Sequence, residues 1–120
     1  MKLAIVGSRK FNDYKKLCEF INKKYNIAEI DTIVSGGAKG ADTLAEKFAA
    51  DNNLKLIVKE AQWDLYGRAA GPKRNKLIVE EADCVVAFPT PSSTGTYNSM
   101  KLAKQMGKPL EVCYVQNDSE

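Results

Sequence analysis

The feature that most constrains this chain is a set of short apolar runs, each cut off by a loop of glycines or small polar residues. Leu3-Ala4-Ile5-Val6 stops at Gly7, and Thr32-Ile33-Val34-Ser35 stops at Gly36-Gly37. Leu56-Ile57-Val58, the run from Cys84 to Phe88 and the run from Leu110 to Val115 complete the set. Runs that are apolar throughout, rather than alternating, suit strands covered on both faces. Helical stripes lie between them. Tyr14, Leu17, Cys18, Ile21 and Tyr25 recur at helical spacing, as do Ala41, Leu44, Ala45, Phe48 and Ala49. A shorter helix from about Lys73 to Glu81 is expected to bury Leu77, Ile78 and Ala82, and a last one Ser99, Leu102, Ala103 and Met106. Strand and helix alternate, which predicts an α/β, Rossmann-like three-layer fold around a five-stranded, mainly parallel sheet.

With 120 residues, the chain has room for one core and not two. Residues 1–115 are expected to form a single Rossmann-like domain and 116–120 a flexible tail. The formal charge of +3 suits a phosphate ligand and is too small to define a nucleic-acid surface alone. There is no histidine, which removes the commonest general base and the commonest zinc ligand. No metal site and no cofactor is expected. Cys84 and Cys113 lie in apolar runs and, with Cys18, read as buried thiols of a reducing compartment. No stretch approaches the roughly 20 apolar residues of a membrane span, so a cytoplasmic location is expected.

In a parallel sheet, the loops leaving the carboxyl ends of strands emerge on one edge, where ligands bind. Every unusual loop here leaves such an end. Gly7-Ser8-Arg9 follows the first strand and Ser35-Gly36-Gly37-Ala38-Lys39-Gly40-Ala41-Asp42 the second. The long connection after the third carries Trp63, Tyr66, Lys73, Arg74 and Asn75. Ser92-Ser93-Thr94-Gly95-Thr96, with Asn98, follows the fourth. Glycines let backbone amides approach an anion, and two helix N-termini would point at it. Arg9, Lys39, Lys73 and Arg74 add cations, of which arginine grips phosphate bidentately. Trp63 stands where it would either stack on a base or anchor its loop. Asp42 falls in a first helical turn, where a carboxylate caps amides or meets a ribose hydroxyl.

Gly7-Ser8-Arg9, Ser35 to Asp42, Gly71-Pro72-Lys73-Arg74-Asn75 and Gly95-Thr96 together resemble the SLOG superfamily, which unites the DNA-processing proteins (DprA/Smf) with the LOG phosphoribohydrolases. Within it the chain is most similar to the small bacterial and phage YspA/YpsA-like branch. The resemblance implies a Rossmann-like domain that binds nucleotides or nucleotide derivatives, ADP-ribose-like ones included, as a sensor or sequestering module. One alternative it implies is an N-glycosidic phosphoribohydrolase acting on nucleoside monophosphates, with Arg74 matching that family's arginine and Asp42 the other catalytic candidate. Tyr97, Asn98 and Ser99 stand where the glutamate of those enzymes would follow Gly95-Thr96. A second alternative is single-stranded nucleic-acid binding. The superfamily also implies a homodimer.

Overall fold

The computed structural model describes residues 1–116, so most of the expected tail at 116–120 lies outside the described residues. β1 (Lys2–Gly7), β2 (Thr32–Ser35), β3 (Lys55–Val58), β4 (Cys84–Phe88) and β5 (Leu110–Val112) form one sheet in the order β3-β2-β1-β4-β5. Every pairing is parallel. The architecture is the α/β Rossmann-like fold that the strand and helix alternation implies. β1 lies at the centre, and its register with β4 runs from Leu3↔Cys84 to Gly7↔Phe88.

Both faces of the sheet are covered. On one, α1 (Tyr14–Lys24) and α2 (Ala41–Asp51) bury Leu17, Ile21 and Phe48 against Leu3, Ile5, Ile33 and Val86. On the other, α4 (Ala70–Glu81) and α5 (Thr94–Gln105) bury Ile78, Val79, Met100 and Ala103 against Ala4, Val6, Val34 and Val85. Consecutive residues of β1 therefore alternate between two cores, which is why its run is apolar without interruption. Phe11, outside any predicted element, is 2% exposed and stacks on Phe88 at 4.9 Å between ring centroids.

Several local expectations change. α4 begins at Ala70, not Lys73, and the long connection before it holds a one-turn helix, α3 (Trp63–Tyr66), and a 3₁₀ turn at Gly67–Ala69. The longer α4 buries Ala70, Gly71, Asn75, Ile78 and Val79, a stripe that leaves Leu77 49% exposed. Of the three cysteines only Cys84 is fully buried; Cys18 and Cys113 are partly exposed because they sit at the margin of the first core. β5 ends at Val112, although Cys113 N–H and Val115 N–H still donate to the carbonyls of Ala87 and Pro89. No helix among the described residues is long and apolar enough to cross a membrane.

Candidate functional site

β1, β2 and β4 are neighbours, so the loops leaving their carboxyl ends rise together. With the start of α4 they enclose a cleft of about 560 Å³, within the roughly 300–1,000 Å³ usual for small-molecule sites. Its floor is the end of β1, from Val6 to Ser8. Ser8 is buried; its Oγ accepts from the Lys10 N–H at 3.1 Å and from Thr90 Oγ1 at 2.9 Å. These bonds tie the loop after β1 to the loop after β4. Arg9 projects beyond them and is exposed.

Ala38 and Asp42 form the wall contributed by the loop after β2. The Ala38 N–H donates to Asp42 Oδ2 at 3.1 Å, so the carboxylate folds the loop onto the first turn of α2. Gly40, with φ 72°, is the N-cap of α2 and makes no side-chain cap. It packs flat on the backbone of Ser8 and Arg9, and the Ala41 N–H donates to the Ser8 carbonyl at 3.1 Å. The first amide of α2 is thus satisfied by protein, and Gly40 is a crossing point of two backbones. Ser35 lies wholly buried behind this wall.

Opposite stands α4. Arg74 Nη1 donates to the Gly36 carbonyl at 2.8 Å and Nε to Asn75 Oδ1 at 3.0 Å. Asn75 Nδ2 in turn donates to Asn98 Oδ1 at 3.0 Å and the Gly95 carbonyl at 3.3 Å. One chain of hydrogen bonds therefore spans the site from the loop after β2 to the start of α5. Trp63, half exposed, leans over Gly71; its ring edge lies 3.3 Å from where a Cβ on Gly71 would stand. Ser93, Thr94, Gly95, Thr96 and Asn98 close the cleft. Ser93 is the N-cap of α5, but its hydroxyl turns back to the Thr90 N–H and carbonyl, both at 2.9 Å, and caps no helix amide. Thr96 is 5% exposed and lines the cleft, and its hydroxyl has no hydrogen-bond partner among the described residues.

The charges are unbalanced. Among the described residues neither Arg9 nor Arg74 forms a salt bridge. Burial draws the Arg74 guanidinium below its ordinary value, Asp42 pulls it back up, and the positive charge of Arg9 lowers it further. Asp42 is held above the ordinary carboxylate value by burial, opposed by the Ala38 N–H and by Arg74. A carboxyl whose folded value is raised binds more protons folded than unfolded between the two values. The ionised group therefore costs stability as pH rises from the ordinary aspartate range through its raised native value. Asp42→Asn, which keeps an oxygen for the Ala38 N–H, is expected to gain on the native protein across that interval and to hold the gain at neutral pH. Urea midpoints of both proteins from about pH 4 to 7 check this; a difference that stays constant, or shrinks as pH rises, overturns it.

Of the residues singled out in the sequence, the structure gathers Gly7, Ser8, Arg9, Ala38, Asp42, Trp63, Arg74, Asn75, Ser93, Thr94, Gly95, Thr96 and Asn98 around this cleft. Gly36 and Gly37 line a neighbouring cavity. Ser35 and Gly40 lie behind the wall, and Lys73 turns away to place Nζ 4.7 Å from the centre of the Tyr66 ring. Gly71, Pro72 and Ser92, which belong to the same sequence motifs, also line the cleft, as do Val6, Lys10 and Ser99, for which adjacency to the loops was the available signal.

Residues 1–66 match the model of the YspA, cpYpsA-related SLOG family (YAcAr). Gene 61 protein of Mycobacterium phage D29 is 29% identical over 116 residues, spanning 91% of this chain and 93% of that protein. Two solved structures share the fold. DNA processing protein A from Helicobacter pylori, described with its unique single-stranded DNA binding mode, is 24% identical with a TM-score of 0.71 over 93% of this chain. DNA processing protein A (DprA) from Streptococcus pneumoniae is 22% identical with a TM-score of 0.57 over 98% of this chain. This chain spans 64% and 59% of those two, respectively.

Proposed function

This chain belongs to the YspA, cpYpsA-related SLOG family, and from that premise we propose that its cleft binds the phosphate of a nucleotide or nucleotide derivative without turning it over. The observation that carries the reading is the convergence of two guanidiniums without salt bridges, Arg9 and Arg74, on one cleft. An anion between them would relieve their mutual repulsion and add an ionic partner to the hydrogen bonds that Arg74 already makes. The α5 N-terminus carries no side-chain cap, though its Thr94 and Thr96 N–H groups donate to the Ser92 and Ser93 carbonyls, and Thr94, Gly95 and Thr96 line the same space. Binding is favoured over catalysis by the donor set. Asp42 is the one carboxylate among the described residues that line the cleft, and it is already engaged by the Ala38 N–H. An ADP-ribose-like ligand that the domain senses or sequesters fits this chemistry.

Trp63 is the only tryptophan of the chain and lies half exposed at the cleft, so its emission reports occupancy. Titration with AMP is expected to quench it saturably, with a Kd below about 1 mM, or more than roughly 4 kcal/mol of binding free energy. No saturable change with AMP, ADP or ADP-ribose, together with no calorimetric heat, would falsify the reading. Single-stranded nucleic acid is a second reading, favoured by the likeness to the DNA processing protein described with its single-stranded DNA binding mode. It predicts oligonucleotide affinity that falls steeply with salt, whereas binding of a mononucleotide responds weakly.

A further inference from the structure

Beside the cleft lies a second cavity of about 500 Å³, between the loop after β2 and the segment that leaves β3. Gly36, Gly37, Lys39, Glu60 and Ala61 line it alone, whereas Arg9, Ala38, Trp63 and Arg74 line both spaces. The two cavities therefore adjoin at these four residues, here called the neck, whose side chains are two guanidiniums, an indole and a methyl group. Each cavity on its own has the size of a small-molecule site. A mononucleotide held in the first would leave the second empty.

The two sides of the neck differ in charge. The neck concentrates positive charge and suits the most anionic part of a ligand, a bridging phosphate. Beyond the residues shared with the first, the second cavity adds one cation and one carboxylate, Lys39 and Glu60, and neither forms a salt bridge among the described residues. An ionised carboxylate only accepts hydrogen bonds and repels phosphate. It suits a sugar with adjacent hydroxyls, which donates two hydrogen bonds to its two oxygens. Glutamate or aspartate serves ribose hydroxyls in the same way in dinucleotide-binding folds of this architecture.

Resting on the binding function proposed above, we infer that the ligand has two halves joined through a phosphate bridge. The bridge lies at the Arg9–Arg74 neck and a ribose with free hydroxyls meets Glu60 in the second cavity. This chemistry has two sources, a free pyrophosphate-linked ribose nucleotide and the 3′-terminal step of an RNA strand, whose last ribose keeps both hydroxyls free. The 3′-terminal step of DNA lacks the 2′-hydroxyl and cannot make both hydrogen bonds to Glu60.

Calorimetry with four probes separates these outcomes: AMP as a one-part ligand, ADP-ribose, the RNA dinucleotide UpU and the DNA dinucleotide TpT. ADP-ribose or UpU is expected to bind at least about tenfold more tightly than AMP, the winner identifying the source, and TpT to show no such gain. Ala61→Phe, which fills only the second cavity, is expected to abolish the gain and leave AMP affinity unchanged. Glu60→Gln, a change of one surface charge, is expected to reduce the gain for the ribose probes. Should Ala61→Phe fail to fold, Glu60→Gln alone decides. Equal affinities for AMP and both two-part ribose probes overturn the inference while the binding function stands. So does an equal loss of AMP and ADP-ribose binding in Ala61→Phe. A gain for TpT matching that for UpU overturns the assignment of Glu60. Failure of all four probes to bind overturns the proposed function and this inference together.

Discussion

Gly40→Ala is expected to lower the stability of the fold by about 2–6 kcal/mol, from two causes that add. At φ 72° and ψ −123° Gly40 occupies backbone space that residues with a Cβ avoid, and forcing one there costs about 1–3 kcal/mol. A Cβ would also be driven into the backbone of Ser8 and Arg9, and overpacking of this kind costs about 1–3 kcal/mol more. Set against the 5–15 kcal/mol that typically hold a domain together, the loss should lower the melting temperature by roughly 10 °C or more. Gly95→Ala is the matched control. A Cβ there meets nothing within 4 Å, and in the first turn of α5 alanine is expected to be neutral or stabilising by up to about 1 kcal/mol. Thermal unfolding followed by circular dichroism compares the two. If Gly40→Ala melts with the native protein, the crossing of the two loops at Gly40 is not what fixes the geometry of the site.

The second large effect is expected at Arg74. Its guanidinium would act on the ligand and already holds the Gly36 carbonyl and Asn75 Oδ1. Hydrogen bonds to charged groups contribute about 1.5–3 kcal/mol each. Arg74→Ala should therefore weaken AMP binding roughly 10–150-fold. It should also destabilise the protein by about 1–3 kcal/mol, because two partly buried acceptors lose their donor. Arg74→Lys separates the two roles. It keeps the charge but not the planar fork that reaches Gly36 and Asn75 at once, so its affinity should fall between those of the native protein and Arg74→Ala. Unchanged affinity in Arg74→Ala would remove Arg74 from the ligand and leave it a structural tie alone.

The sheet was legible because β1, β2 and β4 are buried on both faces, and burial writes itself into sequence as unbroken apolar runs. The gathering of Arg9, Asp42, Arg74 and Thr96 was legible for the same reason, since parallel strands bring their carboxyl-end loops to one edge. What escaped was decided between elements. Leu77 reads as core by hydropathy, yet the phase of α4 is set by Ala70, Gly71 and Asn75 upstream, where Gly71 and Asn75 carry no apolar signal. Gly40 reads as a ligand loop glycine, yet the contact that demands it is backbone from 31 residues earlier. Ser93 has the composition of a helix cap, but the nearby backbone of Thr90 competes for its hydroxyl and wins. Glu60 and Ala61 gave no signal, because only the placement of the segment after β3 beside the Gly36–Lys39 loop turns them into a cavity wall.

The central position of β1 has a consequence for how the molecule comes into being. β1 pairs on one side with β2, close behind it in the chain, and on the other with β4, whose Cys84 partners Leu3. On a ribosome, where the chain emerges from its N-terminus, β1 and β2 are made first with Arg9 and the Gly36 loop between and after them. Arg74 and the α5 N-terminus follow only later. A nascent chain that ends near residue 66 holds one wall of the cleft and one of its two arginines. The cleft is complete only once β4 lies along β1 and α4 and α5 supply its second wall.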